Sequence, residues 1–401
     1  MKKTIAFVLL FLLLMSMSVT VFAENEINNV ADKYEFTTPS IEVSCKSAVL
    51  MNAESGEIIF SKNENEAQSP ASVTKIMTLL LVMEALDEGR ISAESAVPIS
   101  ANAASMGGSQ VFLKEGESMT VEELVKCTVI ASANDAAVAL SEYVYGSEEA
   151  FVKAMNEKAA SLGMNNTNFE NTTGLDDTTT NHVASALDIA IMSRELIKHP
   201  MILEYSSLWQ DSIRDGEFTL TNTNRLVRYY DGCTGLKTGS TDKAGYCISA
   251  TAERDGMNLI AVVMGADTRD ERNSIARSLL DMGFSNYSVF SEEENEVDNI
   301  KVFGGKVNCV TVYSPPVCKL IDKKYKNKVE KYYELADAIE APLKNGDSVG
   351  KVKYVINGTL LCESDVYVKD DIERISTKDV FLCIIRVVLT GKYNNYQKNP
   401  Y

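Results

Sequence analysis

Three short runs hold the residues able to do covalent chemistry: Ser72-Val73-Thr74-Lys75, Ser132-Ala133-Asn134 and Lys237-Thr238-Gly239. A serine hydroxyl is a poor nucleophile until a base takes its proton. Residues three apart share a helix face, so Lys75 reaches Ser72 if a helix begins there. The lysine amine acts as that base only when burial or a neighbouring cation lowers its pKa. The start of a helix supplies both apolar packing and partial positive charge. Ser132 is suited to relay a proton toward a leaving group, and the Asn134 amide to hold a substrate carbonyl. A cationic Lys237 beside the Thr238 hydroxyl suits a carboxylate, and Gly239 lets substrate backbone approach closely. Each run alone is common by chance. In this order, separated by 60 and then 105 residues, they belong to one catalytic domain.

Other chemistries fit less well. A Ser-His-Asp arrangement has only His182 and His199 to draw on. His199 precedes Pro200 and reads as the cationic end of a helix; His182, in a polar loop, reads as structural or capping. The same scarcity of histidine argues against a zinc site, and no metal or cofactor is expected. Asp176-Asp177 reads as a turn, Asp135 as a helix cap, and Trp209, the single tryptophan, as packing. The net charge of -17 repels phosphates and argues against nucleic acid as a partner.

Elements that would position the three runs follow from periodicity. Ala48–Met51 and Ile58–Phe60 flank a Gly-containing turn and read as a hairpin. Val73, Ile76, Met77, Leu80 and Met83 recur at helical spacing from Ser72 onward. Thr120 with Glu123 makes a capping box for a helix over 121–129. Further helices are expected over 135–143, 149–161, 185–198 and 273–282. Tyr246–Ala252 and Leu259–Met264 read as strands joined at Asp255-Gly256. Early strands, central helices and late strands predict an α+β domain whose sheet joins distant segments.

The ends differ from the middle. Lys2 and Lys3, an apolar stretch from Ile5 to Met15 and the small residue Ala23 predict a secretory signal peptide over 1–23. The catalytic domain is expected over 24–290, its first residues to about 40 a loose arm, with an acidic linker over 291–296. Short strand-like runs then predict a β-rich domain over 297–371. Last comes an amphipathic helix over 376–396, with Asp379, Cys383, Arg386, Thr390 and Tyr393 on one side and Phe381, Ile384, Ile385, Val387 and Val388 on the other. That face suits a membrane surface. The eight cysteines are expected to be mostly free thiols, with Cys233–Cys247 the one pairing kept open.

The surrounding residues sharpen the picture. Ser69-Pro70-Ala71-Ser72-Val73-Thr74-Lys75-Ile76-Met77-Thr78, Gly108-Ser109-Gln110-Val111-Phe112-Leu113 and Ala131-Ser132-Ala133-Asn134-Asp135 resemble segments of the low-molecular-mass penicillin-binding proteins. So do Asn171-Thr172-Thr173-Gly174-Leu175-Asp176 and Gly235-Leu236-Lys237-Thr238-Gly239. The resemblance, from Ala48 to Gly283, is to their serine-type D-alanyl-D-alanine carboxypeptidase family. It departs where Asp177-Thr178-Thr179-Thr180 replaces a segment that often carries proline. The resemblance implies a β-lactamase/transpeptidase-like α+β catalytic domain, an antiparallel sheet flanked by helices plus a helical subdomain. It implies that Ser72 attacks the bond between two terminal D-alanines of a peptidoglycan stem peptide, with Lys75 as base and Ser132 passing the proton. Asn134 would bind the peptide, Lys237 and Thr238 the terminal carboxylate, with Gly239 beside them. The backbone N–H groups of Ser72 and Ser240 would form the oxyanion hole. β-Lactams would acylate Ser72. The competing expectations are a β-lactamase or D,D-endopeptidase on the same fold, and a non-catalytic wall-binding protein.

Overall fold

The computed structural model describes residues 34–37 and 39–390. The expected signal peptide, and residues 391–396 of the expected terminal helix, lie outside them. Two compact units emerge, and each is described by itself.

The first unit, Phe36–Asn295 with Pro316–Asn327, carries all three motifs. Its strands β1 (Ser47–Asn52) and β2 (Ile58–Lys62) form the expected hairpin. A 3-10 turn over Ala71–Thr74 runs into helix α1 (Lys75–Asp87), so Ser72 lies in the tight turn and Lys75 in the first position of the helix proper. A short ribbon of β3 (Ala96–Pro98) and β4 (Ser118–Thr120) brackets α2 (Ala101–Ala104). Helix α3 (Val121–Val129) opens on the capping box of Thr120 and Glu123. There follow α4 (Asn134–Tyr145), α5 (Glu148–Ser161), α6 (Ala186–Leu196) and α7 (Pro200–Ser206). The helix expected over 185–198 therefore stops early. His199 is the N-cap of α7 and bonds the Asp87 carboxylate at 2.7 Å, rather than closing a helix C-terminus. Pro200 explains the break, because it cannot continue a helix from α6 but is welcome as the first residue of a new one.

A hairpin of β5 (Gln210–Ile213) and β6 (Phe218–Thr221) and the single turn α8 (Leu226–Tyr229) lead to β7 (Cys233–Thr241). Then come β8 (Gly245–Arg254), β9 (Met257–Ala266) and α9 (Arg269–Asn286), the last longer at both ends than expected. The main sheet runs β2-β1-β9-β8-β7, with antiparallel neighbours throughout. It is covered on both faces. Val49, Met51, Ile260 and Val262 pack with α1 and α6, while the alternating Ala48, Leu50, Leu259 and Ala261 pack with α9. Helix α1 is apolar all round and buried from Lys75 to Met83, which fixes the Ala71–Thr74 turn that precedes it.

The acidic linker expected at 291–296 is mostly strand. β10 (Tyr287–Glu292) pairs with β13 (Val317–Asp322), and both belong to the first unit. Pairing satisfies the backbone, and Tyr287 and Leu320 are buried beneath it. The arm before Ser44 is also tied down in part, since Phe36 packs edge-on against Tyr287 at 5.4 Å.

The second unit takes Tyr34 and Glu35, Glu296–Pro315 and the residues from Lys328. It is a six-stranded sheet of β11 (Asn295–Phe303), β12 (Cys309–Ser314), β14 (Val329–Leu335), β15 (Ala338–Glu340), β16 (Ser348–Ile356) and β17 (Thr359–Val368). The order is β14-β16-β17-β12-β11-β15. Helix α10 (Thr377–Thr390) follows. The eight cysteines are free thiols. Sheet register explains why Cys233 and Cys247 do not pair: Cys233 faces Ala252, and Cys247 faces Gly239.

Candidate active site

Helix α1, the α3–α4 turn and β7 bring the three motifs together. Lys75 is fully buried, and its Nζ lies 3.0 Å from Ser72 Oγ, 2.5 Å from Asn134 Oδ1 and 2.8 Å from the Thr173 carbonyl. The last two partners accept only. A neutral amine satisfies them with its two N–H bonds and keeps its lone pair for the Ser72 hydroxyl proton. Burial, and then the positive charge of Lys237, hold the Lys75 pKa well below the ordinary lysine value; Asp135 opposes them weakly. The hydroxyl itself is half-buried at the surface of this cluster.

The second motif sits on the sharp turn into α4. Ser132, nearly buried, has φ +65°, a backbone that few non-glycine residues adopt. Asn134 is the first residue of α4. Its amide is committed at both ends, Oδ1 to Lys75 and Nδ2 to the Gly107 carbonyl at 2.7 Å. The Asn134 side chain, expected to hold a substrate carbonyl, here fixes the position of the Lys75 amine. Asp135 was expected to cap a helix. Its buried carboxylate accepts the first-turn N–H of Ala136 at 3.0 Å and also those of Val111 and Leu113 at 3.1 and 3.0 Å, and so fixes the loop beside Asn134.

The third motif lies on edge strand β7. A Cβ on Gly239 would stand 2.8 Å from Ser72 N and 2.9 Å from Val73 N, so only glycine lets the strand approach the Ser72 turn. Lys237 is buried and donates to the Thr238 carbonyl at 2.9 Å. Burial, and then the neighbouring Arg272, push its pKa down to about 7. Thr238 is nearly buried and its hydroxyl pairs with that of Thr223 at 2.8 Å, while Ser240 is exposed at the end of the strand. Buried cations without a carboxylate beside them create a local demand for an anion.

Several residues of this cluster were not picked out from the sequence. The Thr173 carbonyl is one, and a backbone acceptor leaves no side-chain signal. Arg272, buried on α9 and donating to Asn273 Oδ1 at 2.9 Å, is another. Asp176, read from the sequence only as part of a turn, ties two motifs together, accepting from Ser69 Oγ at 3.2 Å and Thr241 Oγ1 at 2.5 Å. Carboxylates at 170 and 176 thus shape the loop that has no proline: Glu170 accepts from the backbone of Thr180 and Asn181.

His182 is structural. Its Nδ1 accepts the Glu170 N–H at 3.0 Å, so the proton is on Nε2, which donates to Thr74 Oγ1 at 2.8 Å. Burial pushes its pKa down to about 4. Between pH 6.5 and 4 the unfolded chain takes up a proton that the folded one refuses. Stability from this group is therefore complete above pH 6.5 and lost as pH falls toward 4. Urea midpoints at pH 7 and 4.5 should differ more for the wild type than for His182→Gln, whose amide can make both bonds; equal differences would remove His182 from the acid response.

A half-buried serine beside a buried lysine of lowered pKa, with a buried cation on the adjoining strand, is an arrangement that suits a serine hydrolase. Residues 33–268 match the family described as D-alanyl-D-alanine carboxypeptidase, and residues 284–374 the penicillin-binding protein 5 C-terminal domain. The chain is 41% identical over 381 residues to D-alanyl-D-alanine carboxypeptidase DacF of Bacillus subtilis, covering 93% of this chain and 95% of that one. Its fold is similar to penicillin-binding protein 5 from Haemophilus influenzae, with TM-score 0.76, 32% identity, and 84% of this chain and 100% of that chain covered. Penicillin-binding protein D2 from Listeria monocytogenes, in its ampicillin-bound form, is also similar, with TM-score 0.57, 32% identity, and 62% and 100% covered. The chain belongs to the D-alanyl-D-alanine carboxypeptidase family and is a serine hydrolase of that specificity.

Proposed function

We propose that Ser72 and Lys75 carry this reaction on peptidoglycan stem pentapeptides. Lys75, neutral, takes the Ser72 proton as Oγ attacks the carbonyl between the two terminal D-alanines. The Ser72 and Ser240 backbone N–H groups stabilise the oxyanion. Ser132 returns the proton to the departing D-alanine nitrogen, and water then hydrolyses the acyl-enzyme. Lys237 and Thr238 hold the terminal carboxylate, with the Arg272 charge behind them, and Gly239 leaves room for the peptide. Asn134 keeps Lys75 aimed and meets the peptide when it enters. The observation that carries the reading is the Lys75 amine, 3.0 Å from Ser72 Oγ with both its N–H bonds engaged elsewhere. Intact-mass analysis after penicillin treatment should find one adduct, on Ser72, in a protein that also releases D-alanine from a synthetic stem pentapeptide. An adduct elsewhere, or none, would end this assignment.

The chain is also proposed to work outside the cytoplasm, on the outer face of the membrane. The N-terminal residues support export, and α10 supports attachment. Among the described residues no helix is long and apolar enough to cross a membrane. Helix α10 nevertheless leaves Phe381, Leu382, Ile384, Val388 and Leu389 more than half exposed. Such a face suits shallow insertion between headgroups. Ending the chain before Lys378 should move the protein from the membrane fraction to the soluble one; retention in the membrane would assign the anchor to the N-terminal segment.

A further inference from the structure

The loop that Asp135 fixes alternates sharply. Val111 and Leu113 are buried, while Phe112 between them is 63% exposed. Phe112 also has φ +58°. At an exposed position with that backbone glycine is the inexpensive residue, and a phenyl ring there carries both strain and apolar exposure.

The conformation is held from two sides. Asp135 takes the N–H groups flanking Phe112. On the other side Arg214, at the tip of the β5–β6 hairpin, donates to the Val111 carbonyl at 3.0 Å and the Phe112 carbonyl at 3.4 Å. Its guanidinium is itself oriented by Glu117, at 2.7 and 3.1 Å. The ring gains little from its neighbours, an edge-on contact with Phe218 at 6.5 Å. The same loop borders the catalytic cluster, because Asn134 donates its backbone N–H to the Ser109 carbonyl and its Nδ2 to the Gly107 carbonyl, both at 2.7 Å.

We propose that Phe112 is a specificity-determining residue, whose ring receives the aliphatic side chain of the substrate residue preceding the two D-alanines, with Arg214 as the positioning residue that presents it. This rests on the acyl-enzyme reading above. A peptide whose carbonyl meets Ser72 and whose backbone meets Asn134 runs along the loop that Asn134 holds. A fixed, exposed ring there rewards a long apolar side chain and ignores a short one.

Two synthetic substrates test it: N-acetylglycyl-D-alanyl-D-alanine and the matching tripeptide with lysine acetylated on both amines. The wild type should prefer the acyl-lysine peptide in kcat/KM. In Phe112→Ala that preference should fall by about tenfold, through KM. Phe112→Leu should restore part of it. Arg214→Gln should lose preference in the same direction, and Arg214→Lys should not restore it, because a single ammonium cannot replace the guanidinium fork. Phe112→Gly should lose preference while melting no lower than the wild type. An unchanged preference in Phe112→Ala would overturn the proposal, as would an equal fall in kcat for both peptides. Absence of a Ser72 adduct in the wild type would instead overturn the underlying acyl-enzyme reading.

Discussion

Replacing Lys75 by alanine should lower the rate of Ser72 acylation by about a thousandfold or more, because general-base assistance and nucleophile activation are lost together. Asn134 Oδ1 and the Thr173 carbonyl lose a donor, but the apolar core of α1 from Ile76 to Met83 stays buried. The variant should therefore still melt cooperatively, and stopped-flow acylation by a fluorescent penicillin measures the chemical loss alone. Acylation at the wild-type rate would remove Lys75 as the base. The pH profile of the wild type gives a second reading. Acylation should rise as pH climbs through the lowered Lys75 pKa, since only the neutral amine accepts a proton. The carboxylate of the peptide needs Lys237 charged, so kcat/KM should fall again as pH rises through about 7. Bound carboxylate favours the ammonium, so that alkaline limb should weaken in kcat.

Gly174→Ala should cost about 3 kcal/mol of stability or more, from the clash with a packed backbone together with a strained φ. A Cβ there would lie 1.8 Å from the Ala71 carbonyl oxygen, and φ is +82°. Neither group has room to yield, since Ala71 begins the nucleophile's turn. The preceding carbonyl, Thr173, is an acceptor for Lys75. Acylation should fall as well, by more than about tenfold, as the base loses its aim. Gly216→Ala is the control. Its φ is +90°, but nothing lies within 4 Å of the added carbon. That change should cost only about 1 kcal/mol. Chemical denaturation of both variants decides the matter, and equal losses would show that contact with Ala71 is not what Gly174 avoids.

Much of this was legible in the sequence where local rules govern. The capping box at Thr120 and Glu123, the β8–β9 turn at Asp255-Gly256 and the apolar faces of α1 and α3 were readable because their causes lie within a few residues. The three motifs were readable because their residue types are rare together in that order. What stayed hidden depends on partners distant in the chain. The Thr173 carbonyl, Asp176 and Arg272 act through neighbours that only the fold supplies. Asp135 looked like a cap and does accept the Ala136 N–H, but its second role, holding a loop more than twenty residues earlier, has no local signal. Residues 291–296 read as a linker because they are polar and acidic with no apolar alternation, and β13, the partner of the strand that ends at Glu292, lies beyond two intervening strands.

The pairing of β10 with β13 bears on how the chain is synthesised. The chain leaves the catalytic unit after Asn295, returns with Pro316–Asn327, and leaves again. A nascent chain that has emerged only as far as Glu292 still lacks the strand that covers β10, so the catalytic unit is finished only after part of the next unit has been translated. A chain cut anywhere between Glu292 and Val317 would therefore leave β10 without its partner strand.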